Sequence, residues 1–109
     1  MDTIAERKLE LRTDQGSMVV TVRLGRPEPD REHDCWRCQY EISFGDAVRT
    51  MAMHGIDGLQ ALQLSIATLD VELHHGAKKY GGVLYHYKEL FNSVLESSGL
   101  QVRIAQKEA

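Results

Sequence analysis

The chain has 109 residues, a length that suits one domain with a single hydrophobic core. Its 13 basic and 16 acidic side chains give a formal charge of −3, which argues against a nucleic-acid binder and against binding to anionic membranes. The longest uncharged stretch, residues 58–69, is too short to span a bilayer. The first residues contain no apolar segment of the secretory type, so we expect a cytoplasmic protein whose two cysteines stay reduced.

Four segments in the first half alternate between apolar and polar residues, as half-buried strands do. Their bounds are about residues 4–13, 18–24, 36–44 and 47–53. Short turns join the first strand to the second and the third to the fourth, so we expect an antiparallel meander. Residues 25–35 contain both prolines and mostly polar or charged side chains, which predicts a solvated loop.

After residue 55 the apolar spacing changes to three and four residues, which indicates helices. Asp57 is suited to cap a first helix over about residues 58–75, and Gly76 is suited to end it. The apolar stripe expected to face the sheet is Leu59, Leu62, Ile66, Leu69 and Leu73.

The last third of the chain predicts a second helix over about residues 84–98. Residues 100–109 form either a short strand or a frayed tail. The predicted fold is therefore a single α+β domain over residues 1–109. It consists of a four-stranded antiparallel meander, an amphipathic helix on one face, and a second, C-terminal helix.

The first helix has a second apolar strip, formed by Leu64, Ala67 and Val71, on the side roughly opposite its main stripe. A helix with two apolar sides is usually covered twice, and one sheet can cover only one of them. Tyr85 lies on the polar side of the predicted second helix, and tyrosine is enriched in interfaces. We therefore expect these four residues to bind a protein partner, either a second copy or another chain.

Three segments together resemble a known family. They are residues 25–29 (GRPEP), residues 35–42 (CWRCQYEI) and residues 55–64 (GIDGLQALQL). A Gly-x-Pro loop, a Trp-x-Cys-x-Tyr strand and a Gly-Ile-Asp entry into a Gln-Ala-Leu-Gln-Leu helix resemble a family of small bacterial proteins that is catalogued only as a domain of unknown function. The resemblance covers about Met18 to Leu73, supports the fold and implies no activity.

One constellation could carry chemistry: His33 with the Cys35-x-x-Cys38 pair. It could supply three ligands to zinc or form a redox dithiol. Alternatively, Cys38 is a small buried apolar residue and Cys35 an ordinary loop thiol. A site that combines His54 with a helix histidine is possible in three dimensions, but spacing alone does not show it. No catalytic motif and no cofactor site is predicted.

Two classes of function therefore remain open. The first is a non-enzymatic interaction module, most simply a homodimer, and the number of packing features favours it. The second is a zinc- or redox-active protein centred on His33, Cys35 and Cys38.

Overall fold

The computed structural model describes residues 1–95. Its elements in chain order are β1 (Thr3–Thr13), β2 (Gly16–Gly25), β3 (Glu28–Asp30), β4 (Cys35–Phe44), β5 (Ala47–Gly55), α1 (Gly58–Lys79), β6 (Val83–His86) and β7 (Glu89–Leu90). The predicted α+β class with an antiparallel sheet is confirmed. The sheet has seven strands instead of four, and one helix is present within the described range. This helix is not both long and apolar enough to cross a membrane.

The strands follow the order β3-β4-β2-β1-β6-β7, and β5 pairs with β4. Both β3 and β5 pair with Trp36 and Arg37, so they must lie on opposite edges of β4. The short β3 therefore continues the edge that β2 occupies further along β4, within the segment that the sequence predicts as a loop. All these pairings are antiparallel.

The two faces of the sheet differ in chemistry, because alternate residues of a strand point to opposite sides. One face packs against α1 and forms the core, whose buried strand residues are Leu9, Leu11, Val20, Val22, Tyr40, Ile42 and Leu84. The other face, called the open face below, carries ion pairs. Arg23 on the central strand β2 bonds Glu6 on β1 and Glu41 on β4, at 2.9 and 2.8 Å. The open face is thus suited to water.

The helix begins as predicted, since the Asp57 side chain accepts a hydrogen bond from the Gln60 backbone N–H at 2.7 Å. It runs past Gly76 to Lys79, because Gly76 is not a cap. A Cβ at position 76 would overlap the Phe44 ring, so this glycine permits close approach of the helix to β4.

The buried face of α1 is rotated from the predicted stripe. Its buried residues follow a spacing of four: Ala61, Ser65, Leu69, Leu73 and Ala77. Leu59, placed in the stripe by its spacing, is 64% exposed. Small residues lie on the contact line because the helix packs close to the sheet, with the Ser65 hydroxyl donating to the Cys38 carbonyl at 2.8 Å.

The predicted second helix over residues 84–98 is wrong for the part that the structure describes. The chain forms a hairpin of β6 and β7 whose two-residue turn, Tyr87-Lys88, has φ values of 52° and 71°. Positive φ at both central residues is the geometry of tight hairpins. Leu84 packs in the core beside Leu11, its partner on β1. The rest of that prediction, and the predicted tail over 100–109, lie outside the described residues.

Candidate functional site

The predicted apolar strip of α1 is exposed. Leu64 and Val71 are 38% and 68% exposed, and Ala67 is also exposed. Leu64 and Val71 are seven residues apart and so lie on the same flank of the helix. At Val71 this flank borders β5, because Val71 lines a groove with Ala47 and Arg49.

The groove between α1 and β5 has a volume of about 500 Å³. Phe44 and Tyr80 form its apolar floor, with their rings stacked at a centroid distance of 5.4 Å. Gly76 is also part of the wall, so the Phe44 ring lies directly against the helix. The groove therefore combines an apolar part with the polar side chains of Arg49, Glu72, His75 and Lys79, next to an exposed strand.

The acidic group of the groove is fully paired. Glu72 accepts a hydrogen bond from the Tyr40 hydroxyl. It also forms an ion pair with Arg49, whose Nε lies 2.9 Å from the Glu72 carboxylate. Burial, followed by the hydrogen bond to Glu72 and then by the Glu72 charge, raises the pKa of Tyr40 far above its usual value. Tyr40 therefore stays protonated as a donor, and the groove offers no uncompensated charge at this point.

Strand β5 forms a long exposed edge. It pairs one-to-one with β4 over nine residues, and no strand among residues 1–95 lies on its other side. Met51, at its centre, is 37% exposed. Unpaired N–H and C=O groups of such an edge can accept another strand, and proteins usually protect them with charges, proline or bulges. β5 contains neither lysine nor proline, and Arg49 is held by Glu72.

The segment after β7 packs on the other flank of α1. Asp70 accepts hydrogen bonds from the Val94 N–H at 2.7 Å and from the Ser93 hydroxyl at 2.8 Å. Arg7 donates to the Val94 carbonyl, and Phe91 is buried. Residues 91–95 thus leave the flank that contains Leu64 and Val71 uncovered.

Tyr85, the fourth predicted partner residue, does not join this surface. Its register partner on β1 is Glu10, which places it on the open face of the sheet. The Arg12 guanidinium lies over its ring, 4.0 Å from the centroid. A cation–π contact of this kind accounts for a half-exposed tyrosine without a partner.

The three predicted metal ligands are not brought together. Cys35 and Cys38 are three residues apart on β4, so their side chains point to opposite faces of the sheet. Cys38 is fully buried on the helix side, where its thiol donates to the Gly25 carbonyl at 3.4 Å. The Cys35-x-x-Cys38 pair therefore cannot hold one ion or form a local disulfide in this fold.

The thiols also lack the electrostatic setting of redox cysteines. Burial raises the pKa of Cys35, and the negative charges of Asp30 and Asp34 raise it further. Burial raises the pKa of Cys38 as well. Both thiols stay protonated at neutral pH, whereas reactive cysteines have a lowered pKa.

A different group of side chains meets on the open face. Asp30, Cys35 and His54 place one ligand atom each within 4.8 Å of one another. His33 joins them, with its Nδ1 3.0 Å from the Asp30 carboxylate. Sequence reasoning missed Asp30 because the three-residue β3 lies in a predicted loop. It could not pair His54 with Cys35 because that contact depends on the register of three strands.

Over residues 1–95, these observations define a two-layer α+β protein with one helix on an antiparallel sheet, a groove beside the outer edge of β5, and a cluster of polar donors on the open face. A family model described as a domain of unknown function, DUF6968, matches residues 5–93. The chain belongs to this family, which confirms the predicted resemblance. Searches of curated proteins and of solved structures gave no significant match.

Proposed function

We propose that the protein is an interaction module and that its partner is a second copy of the same chain. The observation that carries the proposal is the nine-residue β5 edge beside the exposed side chains of Leu64 and Val71. We call Met51, Leu64, Val71 and the outer edge of β5 the α1–β5 surface. Exposed apolar side chains near unpaired backbone groups of a strand edge are typical of a binding site.

Besides the two short end strands, two longer strand edges lack a neighbouring strand within residues 1–95, and their chemistry differs. The first half of β1 carries three charged residues. Glu6 pairs with Arg23 and Arg7 donates to Val94, but Lys8 has no ion pair among residues 1–95, and a lysine at an edge discourages strand addition. β5 has only Arg49 and His54, and Arg49 is paired with Glu72. The remaining ends of the sheet are the three-residue β3 and the two-residue β7, which are too short to serve as templates. The edge that is open to pairing is therefore β5.

A second copy fits this edge by symmetry. Two antiparallel β5 strands centred on Met51 place Arg49 opposite Met53, and Thr50 opposite Ala52, so no like charges face each other. Each copy brings its own α1 to the same side, since both helices lie on the same face of the joined sheet. Leu64 and Val71 of one copy then approach the corresponding flank of the other.

Light scattering of the purified chain across micromolar concentrations tests the proposal. We expect a mass of twice 12.3 kDa in a buffer that contains a chelator, so that bound metal plays no part. Met51→Lys puts a charge at the centre of the edge and is expected to give a monomer. The matched control is Val19→Lys on the open face, where Val19 is 59% exposed.

A wild-type chain that stays monomeric over this range overturns the proposal. A Met51→Lys variant that remains dimeric, with a native circular dichroism spectrum, overturns the assignment of the surface. Val19→Lys should keep the wild-type mass.

A further inference from the structure

We propose that Asp30, His33, Cys35 and His54 form a binding site for a divalent zinc-like cation. Its side chains lie on the open face of the sheet, whereas the apolar side chains of the α1–β5 surface lie on the side of the helix. The two sites share strand β5, to which His54 belongs. It also differs from the ligand set that the sequence suggests, since it excludes Cys38 and includes Asp30 and His54.

The backbone brings the side chains together from three adjacent strands. Asp30 on β3 is the register partner of Cys35 on β4. His54 on β5 is the register partner of Arg37, which is two residues from Cys35 and therefore on the same face. A pleated sheet holds such neighbours in place without any ion, so the site is largely built before metal arrives.

The fourth donor comes from the turn between β3 and β4. The His33 backbone N–H donates to one Asp30 carboxylate oxygen at 3.3 Å, and its Nδ1 lies 3.0 Å from the other. That same oxygen lies 3.4 Å from His54 Nε2. The Asp30 carboxylate thus lies between two imidazoles, whose ring centroids are 6.3 Å apart.

These distances suit tetrahedral coordination. Donor atoms around a zinc ion lie about 3.3–3.8 Å apart, because zinc–ligand bonds are about 2.0–2.3 Å long. The contacts of Asp30 with the two histidines are already near this range, and the Asp30, Cys35 and His54 atoms lie within 4.8 Å of one another. His33 is not part of that group of three, so its side chain has to rotate toward Cys35 and His54 to complete the site.

The donor set selects the metal. Two imidazoles, one carboxylate and one thiolate are ligands for zinc and other borderline transition metals, whereas magnesium and calcium require oxygen donors. Because cysteine coordinates zinc as a thiolate, binding of the ion would release the Cys35 proton to solvent. The Asp30 side chain is only 13% exposed, while those of His33 and His54 are 65% and 50% exposed. The cation would therefore be bound by the largely buried Asp30 carboxylate on one side and would be accessible to solvent on the other.

Metal binding is tested with protein that carries no histidine tag, by competition between the chain and a chromophoric zinc chelator. We expect one zinc per chain and a loss of affinity of at least about 100-fold in His54→Ala, since even outer partners of metal ligands contribute 10–100-fold. His75→Ala is the matched control, because His75 is an exposed histidine on α1. Circular dichroism shows whether each variant retains the fold.

Cobalt(II) titration adds a signature that nonspecific binding cannot produce. We expect a sulfur-to-cobalt charge-transfer band that Cys35→Ser removes. A wild-type chain without stoichiometric zinc, or equal zinc affinity in His54→Ala and wild type, overturns the proposal. A cobalt complex with no thiolate band removes Cys35 from the site and overturns the four-ligand assignment.

Discussion

Val71→Lys offers a quantitative test of the α1–β5 surface. Burying an apolar side chain such as valine completely is worth about 1.5–3 kcal/mol, so the 68% of Val71 that is exposed can contribute about 1–2 kcal/mol when covered. A two-fold interface contains the residue twice, which gives about 2–4 kcal/mol per dimer. Because 1.4 kcal/mol is a factor of ten, the dimer should be weakened roughly 30- to 700-fold.

The assay is sedimentation or light scattering of wild type and variant over the same dilution series, which yields both dissociation constants. Lysine has a higher helix propensity than valine, so the monomer fold should not suffer. Leu59→Lys is the matched control, since Leu59 is 64% exposed on another side of α1. A Val71→Lys dimer as tight as wild type, or equal weakening by Leu59→Lys, would refute the reasoning.

Three further predictions concern stability. Leu73→Ala should lower the free energy of unfolding, measured in urea, by about 2–5 kcal/mol, because Leu73 is fully buried. Leu59→Ala should change this free energy by less than about 0.5 kcal/mol, because Leu59 is exposed. Equal effects of the two substitutions would contradict the observed rotation of the buried helix face. Ser65→Ala should cost about 1 kcal/mol in the same assay, since it removes the buried hydrogen bond to Cys38, and an unchanged midpoint would show that this bond contributes nothing. Because the pKa of Tyr40 is raised in the fold, the native state binds the Tyr40 proton more tightly than the unfolded chain does. The free energy of unfolding should therefore fall as the pH rises above about 10. The Tyr40→Phe variant should lose less stability over this pH range than the wild type.

Alternation of apolar and polar residues was enough to predict the long strands. In β4, residues such as Tyr40 and Ile42 share one parity and are buried on one face, as a half-covered sheet requires. A strand as short as β3, which has three residues, is too short to show this alternation. Its pairing with β4 therefore could not be predicted from its sequence and is seen only in the structure. The exposed apolar strip on α1 could be predicted because its position depends on helix geometry alone.

The second helix was predicted wrongly for a physical reason. Apolar residues such as Leu84 and Phe91 fit a helical spacing and a strand pairing equally well over a short range. The turn at Tyr87-Lys88 lacks the Asn-Gly or Asp-Gly signal that marks tight hairpins, so nothing local indicated it. Residues 83–86 form a strand instead of a helix because they pair with the free edge of β1.

The donor cluster was beyond sequence reasoning for a related reason. The signal that was present, Cys35-x-x-Cys38, depends on spacing in a helix or loop, and a strand separates the two thiols onto different faces. Asp30 and His54 are 24 positions apart, and only the pairing of β3 and β5 with β4 brings them together. Register is a tertiary property that single-strand patterns do not determine.

The unequal ends of the sheet also limit how far an assembly can grow. Pairing about a two-fold axis uses the β5 strand of both molecules at once. After this pairing, the first half of β1 would still have an accessible edge. This segment contains Glu6, Arg7 and Lys8. In the proposed dimer, a third molecule would have to add to that charged margin, so we expect polymerisation to stop at a closed pair and not to continue into a filament.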